Sequence, residues 1–593
     1  MHTVLTYTDL TKTKHVLVLT PMNVLLNWCQ EFEKWLKDCF TFRIYEITSF
    51  KTLKDRLALL KSWHEHGGVF ILSYDMFKNF SNEKISSESS IRDEIEKYLI
   101  NPGPDLIVCD EGHVLKNAKT VLSKSINCVK TLRRIVLTGS PLQNNLDEYH
   151  CMISFIKPNI FGTIDEFRNR FVNPINNGQL YDSTQADVQD MKKRAHVLHK
   201  TLSGFVQRMN HNVIKPLIPI KLEYVISIRL SEIQQKLYKI YVESYRESKI
   251  FVDFRNLYRI WTHPWLLKVK SNKNNINKKE SDDFDEIFQD EDSTSAMNCG
   301  ISELEQLNHS PNNINRESIE DTSNQTWWNE LVVDQMEYNS LLSGKIVLFA
   351  EILKSCQKVG DKLIIFSQFL FTLDLIENFL KYWKDTEKCS FMSSINYYRI
   401  DGSTDGLKRS KYVNEFNDSE CPVNLFLIST KAGGIGINLI GANRVILFDA
   451  SWNPAHDLQA IFRVYRLGQK KPVFIYRFIA QGTMEEKIYN RQVHKQSLSL
   501  RVIDEHQLDR HFKSNELTEL YEHKPDSKEE TELKDYIPPD DNLLADILKS
   551  SNKWISKYHE HDSLLVNRLD EGLSELDRIN AWQEYENEKQ SNN

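Results

Sequence analysis

Leu106-Ile-Val-Cys-Asp-Glu-Gly-His113 decides the fold. Its first four residues are apolar and β-prone, as a strand buried on both faces of a parallel sheet requires. The carboxylate pair Asp110-Glu111 then emerges at the carboxyl edge of that sheet, where open α/β sheets bind their ligands. Three more runs of the same kind lie around it: His15-Val-Leu-Val-Leu19, Val69-Phe-Ile-Leu72 and Arg134-Ile-Val-Leu137. Between them fall helical patterns, clearest over Asn27 to Leu36, where Trp28, Phe32, Trp35 and Leu36 share one face. A second series repeats the plan: Lys362 to Phe366, Tyr397 to Ile400, Asn424 to Ile428, Arg444 to Phe448 and Val473 to Tyr476. The fold expected is α/β, with two doubly wound parallel-sheet lobes.

The 593 residues exceed what one core can organise. We expect a first lobe over 1–155, a helical and aromatic insertion over 156–270, an acidic and largely disordered linker over 271–343, a second lobe over 344–512 and an acidic tail over 513–593. No run of about twenty apolar residues occurs, so no membrane partner is expected. Met1 to Leu10 lacks the basic and apolar parts of a secretory signal. Nine cysteines without a C-x-x-C pair argue for a reducing compartment and against structural zinc. The net charge of −7 looks wrong for a polyanion binder until it is divided. The linker carries −12 and residues 513–593 carry −10, which leaves +15 on the rest.

Several loops carry chemistry. Asp110 suits a Mg²⁺ that bridges phosphates, and Glu111 suits the orientation or deprotonation of an attacking water. In Gln459-Ala-Ile-Phe-Arg-Val-Tyr-Arg-Leu-Gly-Gln469, Arg463 and Arg466 stand at i and i+3, one helical turn apart, so that two guanidinium groups reach one anion. An isolated pair of this kind is usually a solvated face. This one follows a strand and the loop Asp449-Ala-Ser-Trp-Asn-Pro454. Thr20-Pro21, the loop carrying Thr138, Ser140 and Gln143, and the glycine-rich Ser429-Thr-Lys-Ala-Gly-Gly-Ile-Gly-Ile-Asn438 each leave a strand as well. Taken singly these are ordinary turns; in this order they form a set.

That set resembles the two-lobed superfamily 2 motor ATPases. Leu142-Gln-Asn-Asn-Leu146, His263-Pro264, Phe366-Ser-Gln368, Asp401-Gly402 and Asp449 to Pro454 resemble the Swi/Snf-type chromatin-remodelling branch. Glu148-Tyr-His-Cys151, Phe167 to Phe171, Met191 to His196, Gln492 to Leu498 and His561 to Leu565 carry the resemblance through nearly the whole chain, with only the acidic insertion unmatched. The resemblance implies two RecA-like lobes, ATP and Mg²⁺ as cofactors, and translocation along double-stranded DNA to remodel nucleosomes without separating the strands. It further implies histone chaperones or heterochromatin proteins as partners, and residence in the nucleus. By motif, Asp110 would hold Mg²⁺ and Glu111 would activate water. Gln459, Arg463, Arg466 and Gly434 would complete the ATP site from the other lobe. Thr20, Pro21, Thr138, Ser429, Lys431, Gly433 and Trp452 would meet nucleic acid.

One departure is large. The family's phosphate-cradling G-x-x-x-x-G-K-[ST] loop is absent: Gly344-Lys345 is followed by Ile346, and Asn339 stands where the first glycine belongs. Met1-His-Thr-Val-Leu5 resembles the end of the helix that follows this loop, so the loop is expected upstream of Met1. Two other readings stay open: a DNA- or chromatin-binding protein without turnover, and a strand-separating helicase.

Overall fold

The computed structural model describes residues 13–35, 43–81, 89–139, 142, 145–209, 213–246, 250–269, 327–386, 395–430, 436–510, 520–525, 539–567 and 572–591. Residues 271–326 of the expected acidic linker, Met1 to Leu5, and the candidate residues Ser140, Gln143, Lys431, Gly433 and Gly434 lie outside these; residues 327–343, also expected in the disordered linker, are instead ordered and bury Trp328, Val332 and Ser343. The chain divides into two compact units, residues 1–177 and 178–593.

The first unit is built on a five-stranded sheet in which every neighbouring pair runs parallel. Its strands are β1 (His15–Thr20), β2 (Ile44–Glu46), β3 (Gly68–Ser73), β4 (Leu106–Asp110) and β5 (Arg134–Leu137), in spatial order β2-β3-β1-β4-β5. Alternation within the apolar runs feeds two cores. Leu17, Leu19, Phe70, Leu72 and Ile107 pack on one face, and Val16, Val18, Val69, Ile71 and Val108 pack on the other. Helices therefore cover both faces, as the continuous hydrophobic runs require. Beyond β1 the chain builds one side of the sheet, and beyond β4 it builds the other. The crevice outside the carboxyl ends of β1 and β4 is thus the switch point of the sheet, the place where such sheets take ligands. β2, three residues long, is too short to leave a periodic signal.

The second unit holds a seven-stranded sheet of β6 (Lys221–Ile228), β7 (Leu363–Ser367), β8 (Tyr397–Ile400), β9 (Leu425–Ser429), β10 (Arg444–Leu447), β11 (Val473–Ala480) and β12 (Ile555–Glu560). The order is β12-β6-β11-β10-β7-β9-β8, parallel throughout except for the antiparallel pair of β12 and β6. The α/β class and the two-sheet plan are as the sequence reading had them. Two assignments need correction. β6 lies within 156–270, expected to be helical, and pairs along its full length with β11. β12 lies within 513–593, expected to be a tail, and closes an edge of the same sheet. Both were hidden because charged residues interrupt them: Lys221 and Glu223 in β6, Lys557 and Glu560 in β12.

Buried ion pairs make the C-terminal stretch integral. Arg444 on β10 bonds Asp361 at 2.7 Å and Asp541 at 3.1 Å, and Asp541 caps the helix Asn542–Ser550. His561 follows β12 and is 2% exposed, with Nε2 2.9 Å from Gln496 Oε1 and Nδ1 3.0 Å from the Tyr489 hydroxyl. Burial pushes its pKa down from 6.5 to about 3, and burial likewise pushes fully buried His263 down to about 4. Both rings are neutral in the native state and take up protons once exposed. Stability of this unit is therefore complete above pH 6.5, the unfolded value, and is lost as pH falls from there toward the native values. Each ring contributes a loss of about 1.4 kcal/mol per pH unit within that window. Urea midpoints measured at successive pH values should fall on acidification, and His561→Gln should flatten the slope.

Candidate active site

In the first unit the Asp110 carboxylate sits in the crevice between β1 and β4. Its Oδ2 accepts from the Trp28 indole at 2.7 Å and from the Thr20 hydroxyl at 3.3 Å, and its Oδ1 accepts from the Glu111 amide at 3.0 Å. The Tyr74 hydroxyl donates to the Asp110 carbonyl at 2.6 Å. Burial first, then Cys109 and Asp110, raise that hydroxyl's pKa, which keeps it a donor. Three donors thus hold the carboxylate, and a fourth, Tyr74, holds the backbone of the same residue. Glu111 adopts φ 49 and ψ 49, a left-handed conformation that costs a non-glycine residue roughly 1–2 kcal/mol. The turn aims the Glu111 side chain away from the path of β4, and its Oε2 lies 3.3 Å from Nδ1 of His113. Gly112 is required next, since a Cβ there would fall 2.1 Å from Cγ1 of Val136. Local strain held by a tight surround is a feature of functional turns.

The donor set fits Mg²⁺ in one specific way. An ionised carboxylate offers about four lone-pair directions, and three of those on Asp110 are taken. One direction on Oδ1 remains. Mg²⁺ is typically held by one or two carboxylates together with waters and substrate phosphates, which a single open position allows. Among the described residues no group of three or more acidic, histidine or cysteine side chains forms a cage for a metal.

In the second unit the helix Pro454–Val464 presents Gln459 and Arg463 at i and i+4, on one face and half-buried. Arg466 is not on that helix, contrary to the expected one-turn spacing. The Tyr465 amide closes the last turn onto Ile461, Tyr465 itself leaves helical geometry with ψ 84, and Gly468 turns at φ 102. The Gln469 side chain, bonded to the Ala442 carbonyl at 2.7 Å and the Val464 carbonyl at 3.3 Å, fixes this exit. Arg466 projects half-buried from the turn, and its side chain makes no hydrogen bond or ion pair among the described residues.

The helix itself is anchored by a buried charge network that sequence reasoning missed. Asp457, in its first turn and 2% exposed, accepts from the Ser451 hydroxyl at 2.5 Å, from Gln492 at 2.9 Å and from Arg477 at 2.9 Å. Arg477 in turn bonds Glu223, on β6, at 2.5 Å. Arg477 and Lys221 hold the Glu223 carboxyl far below the usual carboxylate range despite complete burial. A partial signal was present: Arg477 is a lone charge inside the otherwise apolar strand β11, whereas β6 with Glu223 was not legible as a strand. Nearby, Asp449 receives the Ser367 hydroxyl at 2.5 Å, the Tyr258 hydroxyl at 2.8 Å and the Gln368 amide, and Lys345 pairs with Glu485 at 2.7 Å. Trp28 was likewise read only as a core residue, and nothing in its spacing announced the bond to Asp110.

Other expected contacts fare unevenly. Thr20 is fully buried and spends its hydroxyl on Asp110, so it faces the carboxylate and not a nucleic-acid surface. Trp452 is 8% exposed and packs edge-on against Phe254 at 5.6 Å, which places its indole in the core. Ser429 ends β9 at 5% exposure. Pro21 and Thr138 are half-buried at the carboxyl ends of β1 and β5.

Comparison with known proteins agrees with the motif reading. A model of the SNF2-related domain matches residues 2–312, and one of the helicase conserved C-terminal domain matches residues 344–468. Transcriptional regulator ATRX of Mus musculus is 42% identical, with 99% of this chain and 27% of its own length covered. The Transcriptional regulator ATRX homolog of Drosophila melanogaster is 42% identical, covering 99% of this chain and 50% of itself. Protein CHROMATIN REMODELING 20 of Arabidopsis thaliana is 38% identical, with coverages of 96% and 41%. The chain thus spans between about a quarter and a half of these relatives. A solved structure, the Sulfolobus solfataricus SWI2/SNF2 ATPase core in complex with dsDNA, is 22% identical over 84% of this chain and 86% of its own, with a TM-score of 0.30. With the SNF2-related match reaching over half its length and the helicase C-terminal match following, this chain belongs to the SNF2-related family of helicase-like proteins.

Proposed function

We propose that this chain is the motor part of an ATP-dependent double-stranded DNA translocase that remodels chromatin in the nucleus. The observation that carries the proposal is Asp110 and Glu111 at the switch point of the first sheet, with the first carboxylate fixed by three donors and its backbone by Tyr74, and the second set apart by a left-handed turn. Asp110 would hold Mg²⁺ at its remaining Oδ1 position, and the ion would supply charge neutralisation on the β- and γ-phosphates. Glu111 would accept a proton from the attacking water. Gln459, Arg463 and Arg466 of the second unit, with the backbone at Gly434, would contact the triphosphate, the two guanidinium groups drawing off charge from the transferring phosphoryl. Pro21, Thr138, Ser429, Lys431 and Gly433 would track phosphates of the duplex. Nucleosomes, and histone chaperones or heterochromatin proteins, are the partners that kinship with the ATRX relatives suggests.

A second reading rests on the sequence itself. The 593 residues contain no G-x-x-x-x-G-K-[ST] loop, the element whose backbone and lysine cradle phosphates, and this favours a DNA-binding protein without turnover. One titration separates the two. Duplex DNA is added to the protein with and without Mg·ATP while anisotropy and phosphate release are followed. The motor predicts DNA-stimulated phosphate release and an affinity that changes with nucleotide. Binding that ignores ATP and releases no phosphate supports the second reading. Binding that ignores salt concentration overturns both, because phosphate contacts release counterions.

A further inference from the structure

Two features that the proposed motor does not use face each other in the second unit. The helix Gln185–Leu202 carries Lys192, Lys193, Arg194, His196, His199 and Lys200. The helix Glu575–Ser591 carries Glu575, Asp577, Glu584, Glu586 and Glu588. The Arg194 guanidinium makes three bonds of 3.2 Å to the Glu588 carboxylate, Lys193 Nζ lies 3.6 Å from Glu584, and Lys200 Nζ sits 4.2 Å above the Trp582 ring. Lys193, Arg194 and Lys200 of one helix are thus occupied by the carboxylates and indole of the other, whereas His196 and His199 face Glu505 and Arg194 also meets Asp190 of its own helix at 3.4 Å.

The apolar hold beneath these pairs is slight. Ala581 and Tyr585 are buried, whereas Leu576 and Ile579 of the same helix are 68% and 51% exposed. Attachment therefore leans on ion pairs near the surface, which are screened by salt and can be exchanged for other anions. A carboxylate beside arginine or lysine offers the oxygen chemistry of a phosphodiester, but a duplex offers far more of it per unit length.

We propose that the helix Glu575–Ser591 is a releasable strap over a duplex-DNA-binding face on the helix Gln185–Leu202, displaced when DNA phosphates replace Glu584 and Glu588 on Lys193 and Arg194. The inference rests on the reading of this chain as a DNA binder. It adds a site and its regulation outside the loops at the strand ends.

The test is hydrogen exchange on the whole chain, free and saturated with duplex DNA, paired with DNA affinity by anisotropy. In the parent protein, DNA should remove protection from residues 575–591. The double variant Glu584→Gln, Glu588→Gln should lose that protection without DNA and bind about three- to tenfold tighter. A second double variant, Glu575→Gln, Glu586→Gln, makes the same change in net charge but leaves the two pairs intact, and should stay near the parent in both measurements. Equal gains from the two variants would assign the effect to net charge and overturn the strap. DNA that binds while 575–591 stays protected would overturn it as well and leave the DNA-binding reading standing. Absence of any DNA binding would defeat that reading and the strap together.

Discussion

Asp457→Ala is expected to cost the second unit about 3–5 kcal/mol, read as a lower urea midpoint at pH 7 with an unchanged slope. The magnitude follows from burial. Arg477 is 3% exposed on its side chain and divides its guanidinium between Asp457 and Glu223; removing one partner leaves part of a buried cation without compensation. The Ser451 hydroxyl loses its acceptor in the same stroke, and the Gln492 amide loses one of its two, keeping the Ser451 carbonyl. Replacement by Asn keeps the shape and one acceptor, so it should cost less than Ala. A loss below about 1 kcal/mol for Ala would mean that the network is a weak surface-like pair, against its burial. The consequence also reaches function, because Asp457 anchors the first turn of the helix that presents Gln459 and Arg463.

Arg466→Ala is expected to lower the DNA-stimulated turnover number by about three orders of magnitude while changing KM for ATP little. Arg466 projects from the turn after the helix and is not committed to a structural contact among the described residues, so its removal should leave the urea midpoint unchanged. That combination, activity lost and stability kept, is what a group acting on the transition state produces. Arg466→Lys should not restore the rate, since a point charge cannot fork onto two phosphate oxygens. Phosphate release under saturating duplex DNA reads the effect, and full activity in the Ala variant would remove Arg466 from the proposed site.

Much of this architecture is legible before any coordinates. Continuous apolar runs such as His15 to Leu19 and Leu106 to Cys109 announce strands buried on both faces, and the loops that leave them carry the candidate chemistry. What escapes is whatever breaks that pattern for a tertiary reason. β6 and β12 are strands with charged residues in them, tolerated because Glu223 meets Arg477 and Lys221 while Lys557 meets Glu486. Three-residue β2 has no periodicity to read. At the site, residue type told which groups could serve but not which way they point. Thr20 and Trp452 occupy motif positions expected to meet nucleic acid, yet their side chains turn inward, one to Asp110 and the other to Phe254. The helix bearing Arg463 ends at Val464, so the i, i+3 geometry assumed for Arg466 does not form. Local spacing says nothing of a side chain many residues away, such as Gln469 reaching back to the Ala442 carbonyl, that decides where a helix stops.

The decisive measurement is made on Glu111→Gln in the presence of duplex DNA and Mg²⁺, with binding of a fluorescent ATP analogue and release of phosphate followed in the same samples. Glutamine keeps the shape of the side chain and removes the base, so nucleotide should bind within about threefold of the parent while phosphate release falls by at least about a hundredfold. A variant that still turns over ATP at the parental rate would show that Glu111 does not activate water, and the reading of this crevice as the hydrolytic centre would fail.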